Sequence, residues 1–228
     1  MTARVLPAGD SAWLVELPER IDPAVNARAI EIARAVERSA LPITDVVVGY
    51  RSVMVYVDPL RTGADAAAAT LEAIAASPPH DAGTAGARVE VPVCYDDPYG
   101  PDLGDVAAFG GCSIDDVIAF HLAREYRVFV VGFVPGFAYM ASVDPRIAAP
   151  RRSSPRLKVP RGSVAVAAGQ TGIYPAATPG GWNVIGRCPV RPYDPDRASP
   201  FLFRAGDRVR FHRVSPDEYR ARTEWGDA

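Results

Sequence analysis

The chain has 228 residues, 48% hydrophobic and 23% charged, which is the balance of a soluble globular protein with enough length for two modest domains. A net charge of −2 argues against general nucleic-acid binding. Apolar runs such as 128–131 fall far short of the roughly 20 residues a membrane helix needs, and three cysteines without a CxxC pair fit a reduced, cytoplasmic protein without structural zinc.

The first 80 residues predict a small α+β domain. Residues 4–6 and 12–17 read as strands across a Pro-Ala-Gly-Asp turn. Asp22 and Pro23 supply a helix cap and a first-turn proline. Val25, Ala29, Ile32, Ala33 and Val36 then recur at helical spacing, which predicts a helix to about Arg38. Residues 46–50 and 53–57 are β-branched strands, and 63–76 is an alanine-rich helix. The order β-β-α-β-β-α favours helices packed on one face of an antiparallel sheet. Residues 81–87 have linker composition and separate this domain from a second one over 88–228.

The second half opens with an alternating strand over 88–93 and a short helix over 102–109. Ser113 as cap and Asp116 three positions later form a capping box for a further helix, on which Val117, Phe120 and His121 share a face. From 128 onward, short strands are expected at 128–134, 163–168, 172–175, 183–190 and 207–214, with a last helical turn at 217–222. Fifteen of the 22 prolines lie after residue 88, and many short strands between Gly and Pro predict a β-barrel or sandwich.

No GxxxxGK[ST], strand-borne GxGxxG, GxSxG or HExxH is present, so the chain alone is neither a P-loop nor a Rossmann enzyme and no metal site is expected. What stands out is charge distribution. The 49 residues between Asp144 and Asp194 hold no acid and eight cations: Arg146, Arg151, Arg152, Arg156, Lys158, Arg161, Arg187 and Arg191. This predicts a positive surface for a carboxylate, a phosphate or an acidic partner, with 146–161 as a basic loop. Lys158 is the one lysine among 25 cations, a bias read here as compositional.

Three glycine-marked segments lie in or beside this window: 132–139, with Phe133, Phe137 and Tyr139; 169–175, with Gln170, Thr171 and Tyr174; and 179–183, with Trp182, leading to Arg187. Each alone is ordinary hairpin chemistry, and together they predict a binding groove. His121, Gln170 and Arg187 are the catalytic candidates. Phe137, Tyr139, Thr171, Tyr174, Trp182, Arg151 and Arg152 are the substrate-binding candidates. A buried, hydrogen-bonded core residue is the alternative for His121. Cys188, Trp13 and Trp225 are assigned to packing.

The strings GFVPGFAYM (132–140), VPRGSVAVAAGQTGIYPAATPGGWNVIGR (159–187) and LPAGDSAWLVEL (6–17) resemble the B-subunit family of 5-oxoprolinase. That family is also called KipI, and was long labelled allophanate hydrolase subunit 1. The resemblance runs from Arg4 to about Val214. It implies an α+β domain followed by a cyclophilin-like β-barrel, working beside a second cyclophilin-like protein, the C-subunit or KipA. With an A-subunit, such a complex hydrolyses 5-oxoproline to glutamate, converting ATP to ADP and phosphate. ATP is thus implied for the complex, with none assigned to this chain, which is expected to be inactive alone. The family also implies two alternatives: a carboxyltransferase component of allophanate hydrolase or urea carboxylase type, and an inhibitor of a sensor histidine kinase. Ala141-Ser142 and Ala168 stand where the family commonly has glycine.

Overall fold

Asp22 accepts hydrogen bonds from the backbone N–H of Ala24 (2.8 Å) and Val25 (3.3 Å), and Pro23 follows at the first helical position, so the first long helix starts at its expected cap. The computed structural model describes residues 2–20, 22–78 and 86–225, and the chain divides into two compact units, Met1–Ala85 and Gly86–Ala228. Of the expected linker 81–87, residues 81–85 lie outside the described residues.

In the first unit, β1 (Arg4–Pro7), β2 (Ala12–Glu16), β3 (Ile43–Val48) and β4 (Ser52–Val57) form an antiparallel sheet in the order β1-β2-β4-β3. Helix α1 (Pro23–Glu37) packs on β3 and β4, and α2 (Ala64–Ala76) packs on α1, β1 and β2. The periodic residues Val25, Ala29, Ile32, Ala33 and Val36 are buried against Val15, Val53, Val55 and Leu71. Burial of each larger aliphatic side chain contributes about 1.5–3 kcal/mol. Arg28, on the same helix, donates to the carbonyl oxygens of Ala75 (3.0 Å) and Ser77 (2.5 Å), satisfying acceptors that the end of α2 leaves without intrahelical partners.

The second unit is built on a seven-stranded sheet. Its strands are β5 (Arg88–Val93), β6 (Glu125–Val131), β7 (Ala138–Ala141), β9 (Ser163–Ala167), β10 (Gln170–Ile173), β12 (Asn183–Arg187) and β13 (Arg208–Arg213). They run in the order β12-β9-β10-β7-β6-β13-β5, antiparallel except for the parallel pair β13–β5. The sheet curls as a half-barrel, and its edges meet where Cys94 and Arg187 exchange two backbone hydrogen bonds of 2.9 and 2.8 Å. Helices α3 (Leu103–Gly110) and α4 (Ile114–Leu122) cover the main core. The Ser113–Asp116 capping box starts α4 as expected, and a second box, Ser215–Glu218, starts α5 (Pro216–Arg222).

Two short strands that form a separate ladder, β8 (Arg156–Val159) and β11 (Thr178–Gly180), differ from expectation. The segment read as a basic loop ends in β8 because Arg156 and Val159 find partners at Gly180 and Thr178. Those partners are distant in the sequence, where no local pattern reveals the pairing.

Candidate functional site

The aromatic motif does gather. The Phe137 ring lies 4.8 Å from Tyr139, 5.3 Å from Tyr174 and 5.5 Å from Trp182, centroid to centroid, in edge-to-face contacts. Two glycines make this possible. A Cβ at Gly172 would stand 3.1 Å from the Phe137 ring, and one at Gly180 only 2.4 Å from the Tyr174 hydroxyl. Phe137, Tyr174 and Trp182 are buried together with Val159, Ala165 and Val184, so these rings are a second small core and not the wall of an open groove. Tyr139 is half-buried, and burial raises its pKa while the nearby Arg151 opposes the rise. Gln170 is half-buried at the start of β10, opposite Ala141. Phe133 is exposed in the β6–β7 turn at φ +72° and meets Phe137 edge-on.

Strand alternation separates Thr171 from this group. It faces the main core, where it meets His121 of α4. Thr171 Oγ1 donates to the Ala165 carbonyl oxygen (3.1 Å) and therefore accepts from His121 Nε2–H (3.0 Å). The Tyr95 hydroxyl then donates to Nδ1 (2.7 Å). This network assigns a neutral imidazole with its proton on Nε2. His121 has no exposed surface, Phe211 stacks on it at 4.6 Å, and burial pulls its pKa down to about 3. A catalytic acid or base must reach its substrate. The geometry gives His121 and Thr171 a structural place in the core.

Acids outside the basic window pair with part of it, namely Arg146, Arg152, Arg156 and Arg191. Asp102, nearly buried, accepts from Arg156 at 2.8 and 2.7 Å, from Arg152 at 2.8 Å and from the backbone N–H of Val184 at 2.7 Å. Arg152 is thereby tied into the structure, although its half-buried side chain also lines the small cleft beside Arg151. Asp144 takes a forked pair from Arg146 (2.8 and 2.9 Å), which holds its carboxyl well below the usual carboxylate range. Arg151 is exposed beside a small cleft of about 340 Å³ with Ser153, Ser154 and Asn183.

A larger cleft, of about 940 Å³, opens elsewhere on the unit. Lys158, Arg161, Arg187 and Arg191 line it, with Tyr193, Trp225 and a wall of Pro160, Pro175, Ala176 and Ala177. Arg187 therefore sits apart from the aromatic cluster with which the sequence grouped it. Its Nε–H donates to the Arg161 carbonyl oxygen (3.0 Å). Trp225, assigned to packing on sequence grounds, is pinned by its indole N–H to the Cys188 carbonyl oxygen (2.8 Å), and the Arg161 guanidinium stands 5.8 Å above its ring. Tyr193 and Trp225 carry no motif that marks them. The solitary Lys158 was the available signal.

Residues 3–203 match the family model "Carboxyltransferase domain, subdomain C and D". The 5-oxoprolinase B-subunit of Bacillus subtilis (strain 168) is 37% identical over 227 residues, 95% of each chain. A crystal structure of the protein TTHA0988 superposes with a TM-score of 0.80 at 40% identity, over 90% of this chain and 40% of that one. The urea carboxylase of Kluyveromyces lactis superposes with a TM-score of 0.76 at 21% identity, over 96% of this chain and 22% of that one, a likeness of fold. The chain thus spans about two fifths of the first solved structure and about a fifth of the second. The matched model and the curled sheet define a protein of the carboxyltransferase C and D class. Within it, the chain belongs to the 5-oxoprolinase B-subunit family, also called KipI.

Proposed function

We propose that this chain is the B-subunit of an ATP-dependent 5-oxoprolinase. It acts in the cytoplasm with a cyclophilin-like C-subunit of KipA type and an A-subunit, and has no turnover by itself. In this reading, residues 1–80 and 88–228 are separate domains joined at 81–87, and the curled sheet is the cyclophilin-like barrel. The observation that carries it is the end-to-end 37% identity to a relative named for that role. The chemistry of the large cleft supports it, because 5-oxoproline is a carboxylate and its lactam is a resonance-stabilised amide whose opening ATP would drive. Arg187 is the cleft residue assigned to the anionic substrate. Gln170 and Tyr139, both part-exposed on the aromatic side, and Arg151 are kept as secondary contacts.

The test is to purify the chain with its bound partners from its own cells and assay ATP hydrolysis dependent on 5-oxoproline. Two co-purifying proteins with that activity support the reading. A stable partner without the activity sinks it.

The match to a carboxyltransferase model favours a second reading, transfer of a carboxyl group to urea or a related amide. Co-purification of a biotin-bearing protein is the outcome that selects it.

A further inference from the structure

The cations of the large cleft differ from many of the other arginines of the same unit. Arg146, Arg152, Arg156, Arg197 and Arg213 each hold a carboxylate. Among the described residues, Lys158, Arg161 and Arg187 have none within ion-pair distance, whereas Arg191 meets Asp194 at 3.6 Å and, through its backbone N–H, the Glu224 carboxylate at 3.0 Å. Arg187 spends its Nε–H on the Arg161 carbonyl oxygen, so its two Nη groups keep their donors for another acceptor. Arg161 is steadied over the Trp225 ring. Cations that line one cleft without counter-charge repel one another, and the resulting field favours an anion.

The type of cation narrows the anion. Twenty-four of the 25 cationic residues are arginine, and the one lysine stands in this cleft. A composition that supplies arginine at every other cationic position makes this exception informative. An ammonium is a compact point charge with three rotatable donors, whereas a guanidinium fork matches the flat edge of a carboxylate. One carboxylate carries a single charge on two oxygens, which one fork satisfies. Three uncompensated cations match the nearly doubled charge and three acceptor oxygens of a phosphate.

We propose that this cleft is a phosphoryl-binding site, in which Lys158, Arg161 and Arg187 take the oxygens of a phosphate dianion or of a phosphate ester. The proposal deepens the preceding reading, and only its link to turnover rests on that reading.

The solitary lysine makes the test direct. The full chain is treated with pyridoxal 5′-phosphate or with pyridoxal, which differ by the phosphate group. Each aldehyde condenses with the amine, releasing water, and borohydride reduces the imine. Peptide mapping then separates Lys158 from the terminal amine. Lys158 is expected to react at least about tenfold faster with the phosphate-bearing aldehyde, a preference of about 1.4 kcal/mol. Inorganic phosphate should protect it and acetate should not, and Arg187→Gln should bring the two rates together. Equal rates in the unsubstituted chain, or protection by 5-oxoproline as effective as that by phosphate, overturn the proposal. ATP competing where inorganic phosphate does not would place an ester or anhydride in the site, and the reverse would place free phosphate there. Phosphate protection without 5-oxoproline-dependent ATP hydrolysis keeps the site and removes the function. Activity without protection does the opposite.

Discussion

His121 Nε2 lies 3.0 Å from Thr171 Oγ1, and this one contact joins helix α4 to strand β10 through the core. It depends on a neutral imidazole, whose pKa of about 3 in the folded chain lies below the ordinary value of 6.5. As pH falls, the unfolded chain therefore binds this proton first. The stability attached to His121 is complete above pH 6.5 and is lost progressively as the pH falls towards 3, by about 1.4 kcal/mol per unit. Urea midpoints of the unsubstituted chain should drop steeply over this window. His121→Gln should be weaker near neutrality and show a shallower acid slope. An identical slope in the two proteins would remove His121 as the source.

Asp102 ties Arg152 and Arg156 to the backbone of β12. Asp102→Asn leaves Arg156 without its charge partner and Arg152 with only Asp105, at 3.2 Å, and should cost about 3–5 kcal/mol in urea unfolding. Adding Arg156→Gln to that variant should cost less than its effect alone, because the pair is already broken. Strict additivity would mean that the pair contributes nothing.

The two-residue turn between β9 and β10 is Ala168-Gly169, with φ of +46° and +87°. Both angles are those of a type I′ hairpin turn, a conformation that costs an L-residue roughly 1–2 kcal/mol. Ala168 is exposed, so removing its methyl group removes no packing. Ala168→Gly should stabilise the protein by about 0.5–1 kcal/mol after the entropy that glycine loses on folding. A calorimetric Tm that falls instead would refute the strain.

Arg187 serves the sheet through its main chain and the cleft through its side chain. The two hydrogen bonds to Cys94 are backbone bonds, so Arg187→Ala should leave far-UV circular dichroism unchanged and Tm within about 2–4 °C. Under the proposed function, the same variant in a complex with its partners should lose at least about a hundredfold of 5-oxoproline-dependent turnover. Turnover equal to that of the unsubstituted complex would separate Arg187 from the reaction.

Elements governed by local chemistry were legible in the sequence. The cap at Asp22 and Pro23, the helical period through Val36 and the Ser113–Asp116 box are all contained in short windows. Strands β9 and β12 fall within the β-branched runs that predicted them. The strands β7, β8 and β11 were hidden because they are three or four residues long, and β8 and β11 are fixed by pairing with each other across a gap in the sequence. The candidate site was harder to read for two physical reasons. Alternation along β10 sends Gln170 and Thr171 to opposite faces, which cannot be applied before the strand is known. A count of charge within one window also misses Asp102, which reaches Arg152 across 50 positions. The rings of Phe137, Tyr174 and Trp182 were correctly grouped, but spacing alone does not tell a packed cluster from an open wall.

The parallel pairing of β5 with β13 has a consequence for how the chain is made. Arg88 stands opposite Arg208, and the neighbouring Ala87 N–H is held by the Asp207 carboxylate 120 positions on. β5 leaves the ribosome first among the strands of its sheet, yet its strand partner is synthesised last. Completion of this sheet therefore waits for β13, and the core that includes Val91 and Val93 stays incompletely covered on the nascent chain until about residue 213 has emerged.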